Sequence, residues 1–138
     1  MDAIGIPYTE EIGLPFASTH PCKMHACGHD CHTAMLLGTA KVLKEMTSDI
    51  HCCVKFIFQY AEEILGGAKT IFERAESMGG EDFAYFLQHK PGAMFQLGVG
   101  TEGKPIIPIH NGKMVVNEDG LDIAPQIFIQ YILDQMER

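Results

Sequence analysis

Residues with metal-binding chemistry are concentrated between positions 24 and 32, where the sequence reads MHACGHDCH. A single glycine separates Cys27 from His29, so a loop can direct both side chains at one ion. Thiolate and imidazole are ligands that suit Zn²⁺ and other borderline transition metals. Asp30 or His32 could orient His29 through a hydrogen bond. The alternative is a polar loop that caps a following helix, but so many histidines and cysteines in so short a segment favour a metal site.

Two further candidate positions lie outside that segment. Glu62 and Glu63 follow an apolar run at 52–58 that we interpret as a strand buried on both faces, and functional groups of α/β proteins collect beyond the carboxyl ends of strands. One carboxylate can bind a metal while the other acts as a general base on water. Taken alone, the pair is more simply explained as a solvated acidic turn. His110 lies in a loop rich in proline and glycine, where an isolated histidine is more often an ordinary surface residue.

The metal-binding motif is expected to lead directly into a helix. Residues 32–46 show apolar positions at helical spacing, with charged residues on the other side. Asp30 or Thr33 would supply the N-cap of this helix. Its apolar face would contain Leu36, Ala40 and Leu43, and would be widened by Met35, Leu37 and Met46.

The rest of the chain is predicted to alternate strands and helices. A second strand buried on both faces is predicted at 93–99, followed by a loop over 100–114. Further helices are predicted at 66–74, at 81–88 and from Ile123 onward. Pro125 is compatible with the last helix only in its first turn. The order strand, helix, helix, strand, helix indicates α/β layering.

Composition and charge limit the possible functions. The chain of 138 residues has 10 Lys+Arg against 18 Asp+Glu, a net charge of −8. This balance argues against a nucleic-acid partner, because phosphate binding needs clustered basic residues. No apolar run approaches the roughly 18 residues of a membrane span, and the N-terminus lacks the pattern of a signal peptide. Five cysteines are therefore expected to be thiols or metal ligands, and we expect a cytoplasmic protein.

Six segments occur in an order that is typical of one enzyme family. They are MDA at 1–3, GLPFAS at 13–18, MHACGHD at 24–30, FQYAEE at 58–63, MGGEDFAY at 78–85 and PIH at 108–110. Together they resemble the metal-dependent amidohydrolases that include hippurate hydrolases, N-acetyldiaminopimelate deacetylases and hydrolases of auxin–amino acid conjugates, within the wider aminoacylase and carboxypeptidase superfamily. The resemblance covers nearly the whole chain in two blocks, residues 1–73 and 77–138.

The resemblance implies a role for each candidate residue. The metal ligands would be Cys27, His29, Glu63 and His110. Glu62 would be the general base, and Asp2 would have an orienting, catalytic role. The cofactor would be a divalent transition metal, two ions per site, Zn or Mn with Co or Ni as alternatives. The reaction would hydrolyse the amide bond of a small N-acyl amino acid, with Glu62 taking a proton from water and returning it to the leaving amine.

The resemblance also implies a fold with parts missing. The family's catalytic domain is a zinc-exopeptidase-like α/β sandwich of three layers with a mostly parallel sheet, interrupted by a lid or dimerisation domain. Here the segment that would lie between Glu73 and Ser77 is absent, and with it the lid, further strands and one ligating histidine. We expect a single incomplete catalytic domain over 1–138. Because two strands would leave an unpaired apolar edge, we also expect a homo-oligomer or a marginally folded chain.

Two other functions remain open from the sequence. Loss of one ligand and of the lid could leave a non-catalytic metal-binding remnant, or an interaction module of the same fold. A redox protein that uses Cys27 and Cys31 is a third hypothesis, although the Cys-x-x-x-Cys spacing differs from the usual dithiol motif. Hydrolysis of N-acyl amino acids that depends on Glu62 would distinguish the enzyme from the remnant.

Overall fold

The computed structural model describes residues 7–58 and 83–137, which belong to two compact units. The larger unit includes residues 7–56 and 97–137, and the smaller includes 57–58 and 83–96. The helices of the described residues, in chain order, are α1 (His29–Glu45), α2 (Phe83–Leu87), a 3-10 helix (Glu118–Gly120) and α3 (Ile123–Met136).

Helix α1 begins three residues earlier than the sequence pattern predicts. Its N-cap is Gly28, in a left-handed conformation with φ of 105°, and no side chain caps the helix. The predicted caps are therefore wrong. Asp30 lies in the first turn, where its negative charge interacts favourably with the positive end of the helix dipole. The hydroxyl of Thr33 donates instead to the carbonyl of His29 at 2.8 Å. The prediction of a helix here is confirmed.

In the larger unit, α1 packs against α3, and the residues that α1 buries overlap with the predicted apolar face at Met35 and Leu43. The buried residues of α1 are Met35, Thr39 and Leu43, spaced by one turn each. Thr39 occupies the centre of this face because its hydroxyl donates to the Met35 carbonyl at 2.9 Å, which satisfies the buried polar group. On α3, Ala124 is buried at the start of the helix. Small residues let the two backbones approach.

Neither predicted strand is present as a strand in the described residues. Segments 52–58 and 93–99 are without regular structure, and the sole residue in a β-bridge within 7–58 and 83–137 is Met24. The prediction that both faces are buried is also wrong, since Phe58 is 47% exposed and Met94 58% exposed. A strand requires a hydrogen-bonded partner, and an apolar run alone does not provide one. The mostly parallel sheet therefore stays a prediction.

Part of segment 52–58 nevertheless shows the side-chain alternation of an extended chain. Cys52, Val54 and Phe56 line an apolar pocket of about 250 Å³ together with Ala40 and Leu43 of α1. Every second side chain thus lies along the helix, as expected for a backbone with a period of two. The segment packs one face on α1 without forming a strand.

The core beneath the metal-binding motif is formed by three segments that are distant in the sequence. Met24, Ala26 and Met114 are buried together, and Ile12 and Val116 pack against them. This cluster belongs to the larger unit. It holds the residues before Cys27 against the residues after His110.

Helices α2 and α3 lie where the sequence predicts them, whereas the 3-10 helix was not predicted. Helix α2 falls within the predicted range 81–88, of which the structure describes 83–88, and the rings of Phe83 and Phe86 stack at 6.0 Å. Helix α3 begins at Ile123 and has Pro125 in its first turn, as predicted. The predicted helix at 66–74 lies outside the described residues. None of the helices in the described ranges has the length and hydrophobicity that a membrane span requires.

Candidate metal centre

Cys27 and His29 flank the residue at which α1 begins. Cys27 is half-buried in the loop, and His29 is the first residue of the helix. Between them, Gly28 adopts φ of 105°, a conformation that side chains with a Cβ rarely adopt. The carbonyl of Gly28 accepts the first helical hydrogen bond, from the N–H of His32 at 2.9 Å. The glycine therefore allows a loop residue and a helix residue to be neighbours on a tight turn.

His110 lies beside this turn. Its backbone N–H donates a 2.5 Å hydrogen bond to the carbonyl oxygen of Ala26, the residue before Cys27. The backbone nitrogens of His110 and Cys27 are thus separated by no more than about 5 Å, given the lengths of the C=O and C–N bonds. His110 is exposed and has a left-handed backbone with φ of 61°. The structure thus brings the backbone of the third candidate ligand beside the turn that contains the first two.

The residues that follow His110 are held by hydrogen bonds to other parts of the backbone. The carbonyl of Gly112 accepts a hydrogen bond of 2.9 Å from the N–H of Glu11. The side-chain oxygen of Asn111 accepts from the N–H of Lys113 at 2.9 Å, which closes a local turn. Residues 110–112 are therefore held between Ala26 and Glu11.

The neighbours of His29 on α1 differ in what they contact. The ring of His32 lies edge-on to that of His29, with centroids 6.0 Å apart and planes at 75°. Asp30 instead hydrogen-bonds the thiol of Cys31. Of the two side chains expected to orient His29, the structure shows a ring contact for His32 and a different partner for Asp30.

The thiol of Cys31 is kept in its neutral form. Burial, the charge of Asp30 and its hydrogen bond, and the charge of Glu118 together raise the pKa of Cys31 to about 11. Because the thiolate is the nucleophile in thiol–disulfide chemistry, a protonated Cys31 is a poor redox group at neutral pH. This environment argues against the redox hypothesis.

A cleft of about 990 Å³ adjoins the start of α1. Gly28, Asp30 and Cys31 contribute to one part of its lining, and Met114 and Glu118 to another. Its volume is at the upper end of the range for pockets that hold small molecules. The lining includes basic and acidic side chains, namely His20, Lys23, His25, Lys104, Glu10 and Asp119.

Comparison with known proteins identifies the family. The model of peptidase family M20/M25/M40 matches residues 1–77, more than half of the chain. The chain belongs to this family. Membership confirms the resemblance that the sequence segments indicated.

Curated relatives of the M20/M25/M40 family extend the similarity beyond residue 77. N-acetylcysteine deacetylase of Bacillus subtilis (strain 168) is 38% identical over 123 residues, which are 89% of this chain and 30% of that protein. N-acetyldiaminopimelate deacetylase of Listeria monocytogenes serotype 4a (strain HCC23) is 39% identical over 124 residues, with the same two shares, 89% and 30%. N-acyl-L-amino acid amidohydrolase of Geobacillus stearothermophilus is 49% identical over 82 residues, 59% of this chain and 22% of that protein. The chain spans less than a third of the length of these relatives. No solved structure matches it.

The structure places three of the six candidate residues of this M20/M25/M40 chain. Cys27, His29 and His110 lie in the larger unit, while Asp2, Glu62 and Glu63 lie outside the described residues. Within 7–58 and 83–137, no three side chains of His, Cys, Asp or Glu are grouped so that they could hold a metal ion. The backbones are adjacent, and the side chains are not gathered around one point.

Sequence reasoning missed the residues that hold His110. Thr9, Glu11 and Gly112 lie outside the sequence motifs that indicate metal binding or catalysis, so none of them is among the candidate site residues. One signal was available, because the dipeptide formed by Asn111 and Gly112 is typical of a tight turn. A tight turn directly after a candidate ligand indicates that the backbone of that ligand is held in place.

Proposed function

We propose that this protein is a metal-dependent amidohydrolase that hydrolyses the amide bond of small N-acyl amino acids. The observation that carries the proposal is the hydrogen bond from His110 to Ala26, because it brings the backbone of a third candidate ligand close to the backbones of Cys27 and His29 in a chain of the M20/M25/M40 family. The relatives named as deacetylases and amidohydrolases support the substrate class.

The metal would be held by Cys27, His29, Glu63 and His110. A thiol and two imidazoles suit a borderline divalent ion, and the backbones of the three described donors already lie together. Side-chain rotation would be needed to bring these donors to one ion. We propose Zn or Mn, with Co or Ni as alternatives, and two ions per site. When bound, such an ion polarises the amide carbonyl and acidifies water.

Glu62 would move the proton. It takes a proton from water as the water oxygen bonds to the amide carbon, and it gives that proton to the nitrogen when the C–N bond breaks. The products are a carboxylic acid and a free amino acid, so that water is consumed and one proton is transferred. Asp2 would orient the groups around the reacting centre. Both assignments rest on the motif positions, since neither residue is among those described.

We also propose a fold, an oligomeric state and a cellular location for the chain. Family membership supports a zinc-exopeptidase-like α/β fold, and we propose that residues 1–138 form one incomplete catalytic domain from the blocks 1–73 and 77–138. Exposed apolar side chains in the segments predicted as strands support a homo-oligomer. A cytoplasmic location is supported by the free thiols of Cys22, Cys31, Cys52 and Cys53.

The experiment is hydrolysis of hippurate and of N-acetyl amino acids by the 138-residue chain loaded with Zn²⁺ or Mn²⁺. We expect release of the free amino acid, abolished by Glu62→Gln and by metal chelation. Glu102→Gln is the matched control, because Glu102 is an exposed loop residue, and it should retain activity. Metal bound stoichiometrically without any turnover would instead support the non-catalytic remnant.

A further inference from the structure

We propose that Gly112 is a positioning residue that fixes the backbone of His110 beside Cys27. The inference deepens the function proposed above and rests on it, because His110 is there a metal ligand. Gly112 would act through His110 and would not contact the metal or the substrate. Its role follows from a close backbone approach at one position of the larger unit.

Two backbone hydrogen bonds hold the 110–112 turn from opposite sides. The N–H of His110 donates to Ala26, and the carbonyl of Gly112 accepts from Glu11 at 2.9 Å. Both anchors are part of, or adjacent to, the small core in which Met24, Ala26 and Met114 are buried. The turn is therefore tied to the segment that precedes the metal-binding motif and also to residues 9–12.

Space is the reason that residue 112 must be glycine. It is buried, and a Cβ added there would overlap the carbonyl oxygen of Thr9. The overlapping atom belongs to the backbone, so it cannot turn away as a flexible side chain would. Nor can the turn move outward without stretching the bond to Glu11 or the bond to Ala26. Any larger residue at 112 should therefore displace His110.

The ion pair across the same contact is too exposed to hold the turn. The Nζ of Lys113 lies 3.6 Å from the Oε2 of Glu11, and both side chains are more than half exposed. Pairs of this kind contribute little. The side chain of Asn111 is better placed to stabilise the turn, because its Oδ1 accepts a hydrogen bond from the backbone N–H of Lys113. Asn111→Ala removes this acceptor and Asn111→Asp keeps it.

His110 itself requires such support. Its φ of 61° is in the left-handed region, which is unfavourable for residues with a Cβ. Conformations of this kind persist only where the surroundings hold them. If the turn is displaced, we expect His110 to relax to a right-handed or extended backbone, and its hydrogen bond to Ala26 to break.

The test compares Gly112→Ala with Gly100→Ala in the 138-residue chain. A Cβ at residue 100 would meet no atom within 4 Å, and Gly100 has no positive φ, so its substitution is a matched control. The first measurement is amide hydrogen exchange of His110 without metal, followed by NMR or mass spectrometry. The second is a Co²⁺ titration, in which thiolate and imidazole ligation has a characteristic absorption spectrum.

We expect amide hydrogen exchange at His110 to become at least tenfold faster in Gly112→Ala. The exchange of the Leu43 amide, in the buried face of α1, should stay unchanged. Affinity for Co²⁺ should fall by about 10- to 100-fold, the usual cost of losing support around a ligand, and the spectrum should lose imidazole character. Gly100→Ala should change neither quantity. Asn111→Ala should shift both in the same direction, and Asn111→Asp should restore them.

The proposal is overturned if Gly112→Ala leaves His110 exchange and Co²⁺ affinity as in the unmodified chain. If Gly112→Ala does not fold, the two Asn111 variants decide, and equal behaviour of Asn111→Ala and Asn111→Asp overturns it. If the unmodified chain binds no Co²⁺, the proposed function is wrong. The exchange of His110 then still shows whether Gly112 holds that backbone.

Discussion

The backbone N–H of His110 donates a 2.5 Å hydrogen bond to the carbonyl oxygen of Ala26. The two residues are far apart in the sequence, and the buried contact of Ala26 with Met24 and Met114 brings them together. Because Cys27 follows Ala26 directly, this bond relates a candidate ligand in a late loop to the motif at the start of α1.

Gly28→Ala should destabilise the larger unit and weaken metal binding. A Cβ at φ of 105° is strained even though it would make only an ordinary van der Waals contact, with the His32 Nε2 at 3.9 Å. We expect the free energy of unfolding to fall by about 1–2 kcal/mol, measured by urea denaturation. The control is Gly98→Ala, because Gly98 has no positive φ and a Cβ added there would meet no atom within 4 Å. Equal stability of the two variants would show that residue 28 tolerates a side chain.

Cys27→Ser should remove the thiolate contribution from the Co²⁺ complex. Loss of a direct ligand should cost more than the roughly 10- to 100-fold that follows from losing outer support. The measurement is the sulfur-to-cobalt charge-transfer absorption together with the dissociation constant. Cys53→Ser is the control, because Cys53 is exposed and outside the motif. A charge-transfer band that survives in Cys27→Ser would assign the thiolate to another cysteine.

Alkylation of Cys31 should be slow at neutral pH and should rise with pH. Its pKa is raised to about 11 by burial and by Asp30 and Glu118, so the neutral thiol dominates below that value. At pH 8 only about one thousandth of Cys31 should be thiolate. Labelling of the metal-free chain with N-ethylmaleimide, followed by peptide mass spectrometry, measures the rate.

The same labelling experiment has an internal comparison. Asp30→Asn removes a charge that disfavours the thiolate, so Cys31 should react faster at a given pH. Asp49→Asn, a change of the same kind beyond the end of α1, should have no effect on Cys31. A fast reaction of Cys31 near pH 7 in the unmodified chain would contradict the raised pKa.

Self-association should depend on the apolar segments that the sequence predicts as strands. Phe95 is 40% exposed and Met94 58% exposed, and covering a phenylalanine contributes about 1.5–3 kcal/mol. We expect sedimentation to show concentration-dependent association, reduced by Phe95→Glu. Leu37→Glu is the control, because Leu37 is 55% exposed on α1 and lies outside both segments. A monodisperse monomer with a cooperative melt at high temperature would contradict this expectation.

The three α-helices of the described residues were predictable from the sequence. Helix α1 and helix α3 follow from apolar spacing at 3.6 residues per turn, because their hydrogen bonds join residues four apart and depend on local sequence. The start of α1 was harder to predict. A left-handed Gly28 replaces the expected side-chain cap, and a polar Thr39 takes the centre of the packed face once its hydroxyl is bonded within the helix.

Only the tertiary structure decided the features that depend on contacts between segments distant in the sequence. Segments 52–58 and 93–99 have strand-like composition but no strand in the described residues, since a strand exists only when another backbone completes its hydrogen bonds. His110 looked like an isolated surface histidine, and the core around Ala26 brought it to Cys27. Residue types and spacing along the chain determine which atoms can bind a metal. Only packing between distant segments determines which of those atoms become neighbours.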